Sequence, residues 1–472
     1  MKPARFLSAL MAIPLILSCQ DDWTFSADGR YELCFSADTV KMDTVFTGVA
    51  SVSKTLMIYN PNDQGIRMDA ILAGGAYSPF RINMDGEGGT QIAGLEIPAG
   101  DSLFCFVSVN IPESGSSDMF HAFDSIRFVL ESGNVQSVKL SAFGLNAVRL
   151  KGLRIEHDTT LTASYPYLIY DSLYVAQGVN LTIEKGAKLY FHSGAVLDVA
   201  GKLTAIGTAD SMIVMRGDRL DDLLPDLKYD LLNGQWGGVR FRESSLGNEL
   251  VYCDIHGGDW GIAADSSGCA DTKLSLRSSI IHNVKGSCIE TTGCRIEVAN
   301  SQITNGAKAC VDIAGGQSDF TFCTIAAFSL WDGAGQAVLL SDRRGDDIVP
   351  LAGATFRNCI ITGRHSTEFA VNVEDSILDS APYIVSNSLL MIRDTADVRF
   401  HDVVFESSKA AVFGSSNFVD RTVIGYTSTF ALDSLSPARG IADSLSLVWP
   451  VDLNGIPRPQ AGADAGCYQY KP

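Results

Sequence analysis

Between Leu250 and Leu390 the apolar residues of this chain recur in a fixed register. Written in line, Tyr252-Cys253-Asp254-Ile255, Ser278-Ser279-Ile280-Ile281, Asn300-Ser301-Gln302-Ile303, Phe322-Cys323-Thr324-Ile325, Asn358-Cys359-Ile360-Ile361 and Asn387-Ser388-Leu389-Leu390 correspond position by position. The steps from Ile281 to Ile303 and from Ile303 to Ile325 are 22 residues each. The next, to Ile361, is 36, one repeat enlarged by 14 residues around Ser329 to Asp347. One column is aliphatic and another is small or thiol-bearing. A second apolar column runs through Ile262, Ile289, Val311, Val338 and Val371. Short β-branched runs at this period, broken by Gly, Asn and Ser, predict a β-solenoid. A lone coil cannot bury its apolar interior. Coils stacked at the strand spacing of about 4.8 Å can, each Ile resting on the one before. Crossovers between parallel strands are right-handed, so the expected coil is a right-handed parallel β-helix.

Upstream, Leu173, Leu181, Leu189 and Leu197 come every eight residues. An offset of 24 pairs Leu173 with Leu197, Leu181 with Ala205 and Leu189 with Ile213, giving three strands per coil. The text Leu173-Tyr174-Val175-Ala176-Gln177-Gly178, Leu181-Thr182-Ile183-Glu184-Lys185-Gly186 and Gly201-Lys202-Leu203-Thr204-Ala205-Ile206 resembles the opening coils of pectate-lyase-like β-helices. Gln235-Trp236-Gly237-Gly238-Val239 is similar to their strand entry. Ser436 to Gly440, Asp452 to Pro459 and Gly462 to Tyr470 resemble the closing segment of bacterial β-helix proteins. That resemblance implies a β-helix over 165–472 whose last strand covers the open end, where an unpaired edge would template aggregation. The acidic insertion Asp218 to Asp226 lacks the spacing of an EF-hand and reads as a solvated loop.

Residues 25–147 alternate in a different way. Runs at Ser53 to Tyr59, Arg67 to Leu72, Pro79 to Met84, Ser102 to Asn110, Asp124 to Leu130 and Val135 to Phe143 end at turn residues such as Asn60-Pro61, Gly74-Gly75 and Asp85-Gly86. Regular short strands of this kind predict an antiparallel β-sandwich. The stretch resembles the immunoglobulin-like modules between lipid anchor and β-helix in Bacteroidetes surface proteins. That implies spacing and presentation, with glycan binding as the lesser reading.

Lys2 and Arg5 precede an apolar run from Phe6 to Leu17 that is too short to span a bilayer. Ile16-Leu17-Ser18-Cys19 resembles a lipobox, and Gln20-Asp21-Asp22 resembles the acidic export signal of Bacteroidetes surface lipoproteins. Residues 1–19 then form a signal peptide, with Cys19 as the lipid attachment point. The expectation is an outer-membrane lipoprotein facing the cell exterior. The net charge of −18, from 36 basic and 54 acidic residues, disfavours nucleic acid and polyanionic glycans not bridged by a cation. Of the 11 cysteines, Cys253, Cys323 and Cys359 share a column with serine, as small buried residues do. Cys288 and Cys310 occupy equivalent places on neighbouring coils and are near enough for a disulfide. No CxxC pair points to zinc.

The candidate ligand-facing residues are His256, Asp259 and Trp260 in one turn and His282 in the next, where the two histidines can stack. The more ordinary reading of such a pair is a structural ladder. Asp254, Asp265, Glu290 and Asp312 approach a carboxylate cluster if they point outward. No catalytic set, metal site or cofactor motif is intact, and Arg343-Arg344-Gly345-Asp346-Asp347 reads as a mobile loop tip. The favoured function is non-catalytic binding or display toward glycan or another surface protein along the solenoid flank. The alternatives are a polysaccharide lyase or glycoside hydrolase on the solenoid, and a structural, adhesin-like module.

Overall fold

A computed structural model describes residues 24–116, 118–224, 227–329, 335–374, 382–406, 417–419 and 430–472. The leader and Cys19 lie outside these residues, as do Pro225 and Asp226 of the acidic insertion. The described chain is all-β with a few short 3-10 turns, and no helix among the described residues is long and apolar enough to cross a membrane. It divides into two compact units.

The first unit, 24–112 with 120–144, holds two five-stranded antiparallel sheets. Strict alternation explains them. In Phe120–Leu130 the even positions Ile126, Phe128 and Leu130 are buried, while His121, Phe123 and Arg127 face out. Leu56, Ile58, Cys105 and Val107 of one sheet share a hydrophobic core with Met68, Ala70, Phe128 and Leu140 of the other. Thr39–Phe46 and Gln91–Ile97 are further strands that the turn signals did not mark.

The second unit, 113–119 with 145–472, is built on parallel sheets of 18 and 10 strands, consistent with a β-solenoid. Each coil gives two strands to the larger sheet and one to the smaller. Ile255, Ile281, Ile303, Ile325, Ile361 and Leu390 pair in one continuous row, as their register requires. The second row runs Ile262, Ile289, Val311, Val338 and Phe369. Val371 pairs instead with Leu340, so that column is displaced by two residues, which keeps the face. The fixed offset of 24 holds for Leu173 and Leu197 but not for the others. Leu181 pairs with Leu203 and Leu189 with Met215, because turns of unequal length separate the strands. Parallel pairing also starts earlier than residue 165. Val148–Ile155 and Thr159–Leu161 already pair in parallel with Tyr167–Val175 and Asn180–Glu184.

Each coil turns a corner at the first residue of its four-residue match. Tyr252, Ser278, Asn300, Phe322, Asn358 and Asn387 all have φ between 47° and 57°. Asn tolerates this left-handed conformation, whereas Tyr and Phe are rare there. The small column that follows forms a ladder. Ser301 Oγ accepts from the Ser279 amide at 3.1 Å and donates to Ala299 O at 2.7 Å. Ser279 and Ser388 repeat both bonds.

The closing segment lies along the flank in its described part. Tyr468 Oη donates to Gln302 Oε1 at 2.7 Å, and the Cys467 amide donates to Thr324 Oγ1 at 3.1 Å. Phe418, Phe430, Leu432 and Leu453 pack with Ala326, Ile360 and Leu389, outward-facing residues of three successive coils. That explains why outward positions there are aliphatic: they are core. All ten described cysteines are free, Cys288 and Cys310 included, and burial pushes the Cys288 thiol well up, with Cys310 beside it adding to the shift.

Candidate functional site

The strands Cys253–His256 and Ile280–Val284 lie side by side, with His256 paired to His282. Their rings stack at 4.6 Å, as the column spacing predicts. His256 is buried between two carboxylates: Nδ1 is 2.8 Å from Asp254 Oδ1 and Nε2 is 2.7 Å from Asp230 Oδ1. His282 Nε2 lies 3.3 Å from the same Asp254 oxygen. Arg216 Nη1 lies 2.6 Å from the same Asp230 oxygen. Burial alone would raise Asp254, but the charges and hydrogen bonds of His256 and His282 hold it well below the usual carboxylate range. Burial alone would lower His256, yet Asp254 and Asp230 raise it to about 9. Asp254, His256 and His282 are a group whose ligand atoms all lie within 4.8 Å of one another.

Asp230 belongs to the insertion after Gly217, in the 3-10 turn Tyr229–Leu231. Its part in this network has no sequence signal beyond its acidity. Asp259 and Trp260 are half-buried on the adjoining turn, Trp260 Nε1 donating to Val239 O at 3.2 Å. They therefore sit beside the histidines rather than in the network.

The other expected acids are each paired with a basic side chain. Asp265 pairs with Arg240 at 3.0 Å. Glu290 and Asp312 are adjacent in register and are neutralised by Lys308 and Arg344, which lie 2.8 and 3.0 Å from Asp312. Arg344 also donates to Thr291 O at 2.8 Å, so this arginine is anchored on the solenoid and not at a mobile tip. Glu368 is fully buried and accepts from the His365 and Ala337 amides at 2.6 and 2.8 Å. Burial raises it to about 7 against those hydrogen bonds, with Glu406 nearby adding to the effect.

A second candidate lies on the first unit. The outward parity of Phe120–Leu130 carries His121 and Phe123, paired with Phe143 and Ser141 of the strand Val135–Leu145. His121 stacks on Phe143 at 4.8 Å and lies 5.8 Å from Phe123. Phe123 is 75% exposed and Tyr77, across the groove, 98%. The cavity between them is about 650 Å³, lined also by Asp124, Lys139 and Ser141. That volume is within the range of small-ligand sites. Aromatics on the polar parity of a half-buried strand were the legible signal.

No protein-family model matches this sequence, and neither does any curated protein. Among solved structures, a family 123 glycoside hydrolase from Clostridium perfringens is 11% identical over 26% of this chain and 30% of its own, with a TM-score of 0.18. The E. coli chaperone DraB is 11% identical over 25% and 55%, also at 0.18. The catalytic domain of a GH87 alpha-1,3-glucanase, solved with nigerose, is 9% identical over 76% and 88%, again at 0.18. Likeness at this level assigns neither family nor activity.

Proposed function

We propose that this protein is a cell-surface lipoprotein that binds neutral glycan on its N-terminal unit, an immunoglobulin-like sandwich that precedes a right-handed parallel β-helix in the chain. The observation that carries this reading is the exposed aromatic set Tyr77, Phe123 and His121 around one groove, with Phe143 stacked on His121 outside its lining. A pyranose offers apolar C–H faces that pack on aromatic rings and hydroxyls that bond to polar groups at the rim, here Lys139 and Ser141. An acidic protein repels anionic polysaccharide, which selects neutral sugars. On the solenoid, Glu290 and Asp312 are paired with Lys308 and Arg344, and the outward aliphatic positions lie under the closing segment. Both facts favour binding over cleavage and move the binding face from the solenoid flank to the first unit. Screening the protein from residue 20 onward against a neutral-glycan panel tests this. Retention without cleavage, reduced at least tenfold by Tyr77→Ala, is expected. Cleavage products, or retention that Tyr77→Ala leaves intact, would refute it.

A further inference from the structure

We infer that Asp254, His256 and His282 form a site for a divalent transition-metal ion, with Zn²⁺ as the cation their chemistry suits best. This inference is independent of the glycan reading and concerns the other unit. Two imidazoles and one carboxylate are the donor set that nitrogen-seeking divalent ions take, whereas Ca²⁺ and Mg²⁺ want oxygens.

The two ring nitrogens aim at one point. His256 Nδ1 and His282 Nε2 both approach Asp254 Oδ1, at 2.8 and 3.3 Å. With all three donors inside 4.8 Å, they bracket the edge of roughly 3.3 Å between ligands on a tetrahedral ion with bonds of about 2.0–2.1 Å. Rotation of Asp254 away from the two nitrogens it now contacts would open the centre. The surroundings match what orients a metal-bound histidine, since the far nitrogen of His256 meets Asp230 at 2.7 Å and Arg216 holds that carboxylate in turn. The histidines are fixed by the strand register itself, so the sheet supplies two ligands with little ordering cost. The Asp254 and His282 side chains remain 25% and 18% exposed, which leaves a solvent-facing side for entry and for water as the remaining ligand.

The test is equilibrium dialysis of the full chain against Zn²⁺ with metal analysis, beside thermal unfolding with and without the ion. One Zn²⁺ per chain and a raised melting temperature are expected. Asp230→Ala, which removes the acceptor that orients His256, should weaken binding about 10- to 100-fold. His282→Ala should abolish both effects. His192→Ala, at an exposed histidine beside Asp218 and Tyr170 and outside this group, should change neither. X-ray absorption on the wild-type protein loaded with one equivalent of Zn²⁺ needs no variant to fold, and two imidazole nitrogens around the ion are expected. Absence of stoichiometric binding, a single imidazole, or undiminished binding by His282→Ala would overturn the inference.

Discussion

At the scale of single residues, the small column shows what side-chain size alone misses. Ser and Cys share it because both are small, yet the serines also carry two hydrogen bonds each, one from an amide of the neighbouring coil and one to a carbonyl two residues back in their own. Ser301→Ala would strand the buried Ser279 amide. A buried donor left unpaired costs about 1–3 kcal/mol, so a lowered melting temperature is expected, with Ser301→Cys falling less. Equal melting of all three proteins would dismiss the ladder as a stabilising device. Glu368 makes a second prediction. Its folded value, about 7, is above the ordinary 4.5, so the folded state holds a proton that the unfolded state gives up. Stability from this group is complete below about pH 4.5 and falls as pH rises toward 7. Denaturant unfolding at pH 5 and pH 8 should therefore show a smaller loss in Glu368→Gln than in the wild type. An equal or larger loss in the variant would contradict this.

At the scale of elements, the repeat was legible because stacked coils repeat both the apolar residue and the corner. The Ile row follows the text residue by residue. Where turns vary in length the same arithmetic slips, as at Leu181, since a fixed offset counts turn residues as well as strand residues. The histidine pair was legible for the same reason that the Ile row was. Asp230 was not, because an insertion folds back by tertiary contact, which leaves no periodic trace. The closing segment is similar: Tyr468 meets Gln302 across 166 residues, and the aliphatic outer positions it covers look like interior from composition alone.

At the scale of the whole molecule, the account joins an anchor and a binding face. If Cys19 is acylated, Cys19→Ala should release the protein from membrane fractions or leave its leader uncleaved. Unchanged membrane association would count against the anchor. The binding face is the central claim. The measurement that tests it most directly is calorimetric titration of the protein from residue 20 onward with a neutral oligosaccharide retained in the panel, comparing wild type with Phe123→Ala. Phe123 is exposed, so its replacement removes a stacking surface and leaves the core of the sandwich in place. The account predicts saturable binding at one site per chain, weakened at least tenfold in the variant, with unchanged melting. Identical affinities in the two proteins would contradict it.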